Sequence, residues 1–163
     1  MRRRLALVLL SILCTVGCDR ATKEWAYRHL RTAPARSYLS GTVRVVYAEN
    51  TGAFLGMGDA LPPGVRFLLF TVASGAFLLG LMAWTLKREA TAMGTIAPAL
   101  VVGGGLGNIV DRAAGGGVID FLNLGIGSLR TGIFNVADMA ITLGVVLLLT
   151  VRHSPRPPKG GEG

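Results

Sequence analysis

The sequence predicts an all-α integral membrane protein with four transmembrane helices, a small extracytoplasmic β element and a short surface helix. Three observations lead there. Of the 163 residues, 51% are hydrophobic and only 16% charged, with a mean hydropathy of +0.52, whereas a soluble domain carries about a quarter charged residues. The charges gather between long apolar runs. Those runs reach the ~20 residues that a helix needs to cross a bilayer. Disorder, a disulfide scaffold and a collagen-like chain are excluded by the same composition.

Arg2, Arg3 and Arg4 precede the apolar run Leu5–Cys18, which is too short alone and must continue through Asp19 toward Trp25. This gives a first span over about 5–26. An external segment over roughly 29–64 alternates in part at Val43-Arg44-Val45 and carries the turn residues Asn50-Thr51-Gly52, which predicts the β element. Phe67–Leu86 and Ala90–Val110 carry no charge and are separated by Lys87 and Arg88. They predict spans over about 66–87 and 90–112. A second external segment, roughly 113–130, holds the Gly115-Gly116-Gly117 break and a short surface helix near Ala113–Asp120. Thr131–Val151, interrupted only by Asp138, predicts a fourth span over about 131–152. Residues 1–153 then form one membrane-embedded domain, and the Pro- and Gly-rich tail 154–163 is expected to be a disordered cytoplasmic extension.

A formal net charge of +8 suits nucleic acid in principle, but its placement argues for a membrane. The dense basic groups at Arg2–Arg4, at Lys87-Arg88 and at Arg152, Arg156 and Lys159 flank apolar runs, as cytoplasmic charges do. Both termini are therefore expected in the cytoplasm, with lipid headgroups as partners of the charge and no nucleic acid. The opposite side holds Arg28, Arg31, Arg36, Arg44 and Arg130, spread over longer loops. Cys14 and Cys18 stand at i and i+4 of one helix, a separation that suits a disulfide poorly.

Ionisable groups within spans are costly, so they point to chemistry. Asp138 falls about seven residues into the fourth span, near its outer end, at roughly 10 Å depth. Asn135 stands on nearly the same face, and Asp120 follows the glycine break among Val118, Ile119 and Phe121. The third span ends where the fourth begins, so Asp120 and Asp138 can meet. Two carboxylates in a partly dry site share a proton, and one can serve as base for water while the other is an acid. The bland alternative pairs each Asp with Arg112 or Lys23, or makes it a helix cap. That alternative is preferred for Asp111, beside Arg112; the functional one is preferred for Asp120 with Asp138.

Other chemistries are poorly supplied. His29 and His153 fall on opposite sides of the membrane, so neither a Ser–His site nor a histidine metal site can be assembled. Gly103-Gly104-Gly105-Leu106-Gly107 lacks phosphate-loop spacing and is expected to permit close helix packing. Asp19 and Lys23 form an i, i+4 pair, read either as an interfacial anchor or as support for the site.

Four blocks occur in order: Asp19-x-x-Thr22-Lys23; Asn50-x-Gly52-Ala53-Phe54; Gly107-Asn108-x-x-Asp111-Arg112 with Gly117-Val118-Ile119-Asp120-Phe121; and Phe134-Asn135-x-Ala137-Asp138. Together they resemble lipoprotein signal peptidase (signal peptidase II), an aspartic protease family of the bacterial inner membrane. The resemblance covers nearly all of Cys18–Ile141. It implies that Asp120 and Asp138 are the catalytic pair, that Asn108, Arg112 and Asn135 order the site, and that Asp19, Lys23 and Asn50 support it or the substrate. Asp111 falls inside a family motif and its role stays open; Asn50, Gly52 and Phe54 suggest a clamp loop. Gly105 stands where the family usually has Ala, and Met139 where Ser is common.

The implied substrate is a prolipoprotein already carrying diacylglycerol on its cysteine, cut just before that cysteine near the outer leaflet. No metal or cofactor is implied, and a monomer is expected. A transporter is the rival from another class, but it predicts midplane acids and internal repeats. A second rival is a lipoprotein processed at Cys18; Thr15 in place of the usual Leu and helical character past the cysteine argue against it.

Overall fold

The computed structural model describes residues 2–52, 58, 60–88, 90–115 and 117–150. Phe54, His153 and the tail 154–163 therefore lie outside the described residues. Helix α1 spans Arg2–Leu30 without a break. Its buried residues Val8, Thr15, Asp19, Lys23, Ala26 and Leu30 recur at helical spacing along one stripe. The opposite face presents Leu10 and Leu13 outward, as a lipid-facing surface does.

Two helical stretches follow the first strands: α2 (Pro63–Phe67), continuing through a π-helical stretch Leu68–Ala73 into α3 (Ser74–Lys87), and then α4 (Ala92–Ala113). Thr91 caps α4 by accepting from the Gly94 amide at 3.1 Å. Pro98 lies inside α4 and cannot bond the carbonyl four residues back. Arg88 Nη2 fills that place, donating to the Gly94 oxygen at 2.7 Å. The same guanidinium lies over the Trp84 ring at 3.8 Å. Arg4 Nη2 donates to the Thr85 oxygen at 2.7 Å, tying α1 to the end of α3.

Helix α4 is the central one, packing against α1, α3 and α5 (Val136–Thr150). Its glycines make this possible, as the sequence leads one to expect. A Cβ on Gly104 would overlap the Ala137 carbonyl oxygen, and one on Gly107 would sit 2.5 Å from Asp19 Oδ2. Gly144 gives the reciprocal approach from α5, where a Cβ would lie 2.7 Å from the Ala97 oxygen. Gly104→Ala is therefore expected to cost about 1–3 kcal/mol, the usual penalty of overpacking, seen as a lower unfolding temperature in detergent.

Three helical segments, Arg2–Leu30, Pro63–Lys87 and Ala92–Ala113, are long and apolar enough to cross a membrane, and the apolar helix Val136–Thr150 is shorter. The chain is thus a helical membrane protein carrying a small open sheet. That sheet is antiparallel in the order β1 (Arg36–Tyr38), β2 (Val43–Asn50), β3 (Val118–Ile126), β4 (Leu129–Phe134). It docks on the end of α1, where Phe121 packs with Ala26 and Leu30.

Two expectations are corrected here. No surface helix occurs over the described part of Ala113–Asp120: α4 ends at Ala113, and Val118 begins β3. The Val118–Phe121 run pairs with β2, Ala48 facing Asp120 and Asn50 facing Val118, so β-branched and aromatic residues find a sheet instead of a helix face. Likewise Thr131–Phe134 is not the start of a span but part of β4, leaving Asp138 in the first turn of α5.

Candidate active site

Asp120 reaches the site from β3 and is 2% exposed; Asp138 reaches it from the opening turn of α5. Asn135, completely buried between β4 and α5, joins them. Its Nδ2 donates to Asp120 Oδ1 at 2.7 Å, while its backbone N–H donates to Asp138 Oδ2 at 3.2 Å. In return Asn135 Oδ1 accepts from the Asp138 amide at 2.9 Å. This reciprocal pair is a capping box, which satisfies donors otherwise orphaned at a helix start. Asp19 Oδ1 takes another such donor, the Ala137 amide, at 3.0 Å. The local fold thus uses an acceptor oxygen at position 138 and places Asp138 at the end of a helix that favours negative charge.

Each carboxylate has a second amide partner. Asn108 Nδ2 donates to Asp138 Oδ1 at 2.9 Å, and Asn50 Nδ2 donates to Asp120 Oδ2 at 3.1 Å. The Asn108 amide is itself held: its Oδ1 accepts from Lys23 Nζ at 2.9 Å and from Asn135 Nδ2 at 3.2 Å. That leaves only Nδ2 to face Asp138. Lys23, 1% exposed, also pairs with Asp19 at 2.7 Å and with Asp111 at 2.8 Å, so its three donors are all engaged.

The Asp19–Lys23 pair is therefore core support and not an interfacial anchor. Asp111 pairs with Lys23 and Arg20, so of the two basic partners considered for it, Arg112 and Lys23, it takes Lys23. Arg112 turns the other way, donating to the Gly52 oxygen at 2.8 Å and the Asn108 oxygen at 3.4 Å. Gly52 in turn donates to Asn50 Oδ1 at 3.1 Å, so Arg112 and the Asn50-Gly52 turn form one support. Of the predicted residues, only Phe54 falls outside the described part of the chain.

A cavity of about 230 Å³ opens beside Asp138, lined also by Phe70, Ser74, Asn108, Arg112, Ile141 and Thr142. Sequence reasoning missed several of these neighbours, and Arg20. Thr142 and Ile141 were within reach, since they stand four and three residues beyond Asp138 on one helix face; Arg20, Phe70 and Ser74 carried no such signal. Burial pushes the Asp120 carboxyl up to about 6, with the charge of Asp138 adding to the rise and the amides of Asn50 and Asn135 opposing it.

Apolar helices that gather two carboxylates around one asparagine define a class: a membrane protein with a buried paired-carboxylate site. The family model described as signal peptidase (SPase) II matches residues 11–152. Lipoprotein signal peptidase of Methylorubrum extorquens (strain PA1) is 37% identical over 155 residues, covering 92% of this chain and 88% of the relative. That of Streptococcus pneumoniae (strain ATCC BAA-255 / R6) is 30% identical over 151 residues, covering 91% and 93%. A solved bacterial membrane enzyme, determined by the in meso method, superposes with a TM-score of 0.75 at 26% identity over 87% of this chain and 84% of its own. The chain belongs to the signal peptidase II family. It is a membrane aspartic peptidase that processes lipoprotein signal peptides.

Proposed function

We propose that Asp120 and Asp138 are the catalytic pair, and that the substrate is a diacylglyceryl-modified prolipoprotein cut just before its lipidated cysteine. The observation that carries this reading is the asparagine bridge: one residue, Asn135, bonds both carboxylates, and Asp138 faces a cavity. One carboxylate, ionised, takes a proton from water as it attacks the scissile carbonyl. The other, protonated, gives its proton to the carbonyl oxygen; as the C–N bond breaks, the proton taken from water passes to the leaving amine and the second carboxyl regains its proton from the gem-diol hydroxyl. Asn108, Asn135 and Asn50 hold the pair in place. Lys23, with Asp19 and Asp111, fixes Asn108, and Arg112 fixes the Asn50-Gly52 turn.

In this reading residues 1–153 act as one membrane-embedded domain with four spans, α5 being the fourth. Both termini lie in the cytoplasm of a bacterium, and the site lies at the outer leaflet of its inner membrane. The dense basic groups beside the apolar runs support that orientation. The test is cleavage of paired precursors in bilayers, with and without diacylglycerol on the cysteine, and products identified by mass. The expected result is a cut before the modified cysteine only; equal cleavage of both precursors contradicts the lipid requirement.

A pH effect follows from Asn50. Its amide stabilises the ionised form of Asp120, so Asn50→Ala raises that carboxyl further above about 6. The limb of the pH–rate profile belonging to Asp120 is expected to move to higher pH in this variant, whether that limb rises or falls. An unmoved profile contradicts the assignment.

A further inference from the structure

One end of the sheet carries apolar side chains where turns usually carry polar ones. Leu39, Ile126 and Leu129 are 75%, 81% and 82% exposed. They belong to two turns, held together because the Gly125 amide donates to the Thr42 oxygen at 2.9 Å and Arg130 Nη1 to the Gly41 oxygen at 2.9 Å. Leu39 and Ser40 both have positive φ, 51° and 53°, a conformation that such turns normally fill with Asn and Gly. A large apolar residue held there in the open is poorly explained by folding alone.

The position of this end relative to the bilayer follows from a groove of about 500 Å³ lined on one side by Leu124, Thr131 and Phe134, and on the other by Asp138, Leu143 and Val146. Were β4 and α5 laid end to end, Thr131 and Val146 would stand about 30 Å apart, further than one groove of that volume reaches. The hairpin therefore folds back beside α5, and its turn lies level with that helix's apolar residues. Around the tip, residues 36–45 and 121–134 contain Arg36, Arg44 and Arg130 and not one acid. Apolar side chains ringed by cations alone match a phospholipid leaflet, with acyl chains inside and phosphates at its rim.

We propose that the two turns at this end of the sheet insert into the outer leaflet, with Leu39, Ile126 and Leu129 in the acyl region and Arg36 and Arg44 on lipid phosphates. The hairpin then roofs a groove that stays open to lipid and leads to Asp138. The inference rests on α5 being a span, so the experiment includes a marker for that.

Full-length protein with Cys14 and Cys18 replaced by serine is labelled with a nitroxide at Leu39, Ile126, Leu129, Val146 or Glu49, one site at a time, in phosphatidylcholine vesicles with and without phosphatidylglycerol. Collision with oxygen is compared with collision with a water-soluble nickel complex. Oxygen is expected to dominate at Leu39, Ile126, Leu129 and Val146, and nickel at Glu49, at the other end of the sheet. Phosphatidylglycerol is expected to deepen the three tip sites, and Arg36→Gln with Arg44→Gln to remove that deepening. Nickel dominating at the tip while oxygen dominates at Val146 overturns the insertion alone. Nickel dominating at Val146 overturns the fourth span and the insertion with it. Depth indifferent to phosphatidylglycerol overturns the role of the two arginines.

Discussion

Asp120→Asn and Asp138→Asn are each expected to leave a folded protein whose cleavage is slower by at least about a thousandfold. General acid–base groups contribute roughly 10²–10⁴-fold each, and removing either partner also removes the proton that the pair shares. Folding should survive in both variants. Asparagine is the same size as aspartate and can still accept from Asn135 or Asn108.

For Asp120 the sign of the stability change can be worked out. Its folded pKa is raised from 3.8 to about 6, so this group favours the fold most below the unfolded value and loses that contribution as pH rises through 6. At neutral pH the ionised carboxylate opposes folding by about 3 kcal/mol. Asp120→Asn is therefore expected to unfold at no lower a temperature than the parent at neutral pH, while losing activity. Thermal unfolding beside a cleavage assay checks both. An inactive variant that is also unfolded leaves the loss without chemical meaning, so the two readouts belong together.

Lys23→Met is expected to have the largest effect on stability. Lys23 is 1% exposed and pairs with Asp19, 0% exposed, at 2.7 Å and with Asp111, 6% exposed, at 2.8 Å, sharing Asp111 with Arg20. Removing one partner of a buried ionic cluster costs about 3–5 kcal/mol, a large part of a typical folding free energy of about 5–15 kcal/mol. The variant should yield little folded protein. Adding Asp19→Asn and Asp111→Asn removes the stranded charges, and folded protein should return. Its cleavage rate should stay below the parent's, because Lys23 Nζ no longer holds Asn108 Oδ1 and the amide facing Asp138 is free to turn. Parent-like unfolding of Lys23→Met alone contradicts this account of the cluster.

Much of the site was legible in the sequence because buried acids in an apolar chain are rare and costly. Asp120 and Asp138 stood out for that reason, and the glycine run before Asn108 announced a close helix contact. What the sequence hid was the direction of each side chain. Asp111 and Arg112 are neighbours in the chain, yet successive residues on a helix point about 100° apart. One reaches Lys23 and the other the Gly52 carbonyl.

The sheet was only half legible for a similar reason. Val43-Arg44-Val45 alternates and reads as a strand, whereas Val118-Ile119-Asp120-Phe121 is buried on both faces in part and does not. Its hydrophobic run beside a glycine break looked like a helix approach, and only pairing with β2 decides it. Pairing of β3 with β4 likewise moved Asp138 from about seven residues into a span to the start of α5, since Thr131–Phe134 is taken up by β4.

The central claim is that the two carboxylates act as one unit, and a double-mutant cycle under single-turnover conditions tests it most directly. Cleavage of a diacylglyceryl-modified precursor is measured for the parent, Asp120→Asn, Asp138→Asn and the double variant, all shown to be folded. Groups that act as a unit are strongly non-additive, so the double variant should be no slower than the slower single one. Substantial activity left in either single variant, or losses that multiply in the double, would contradict the account.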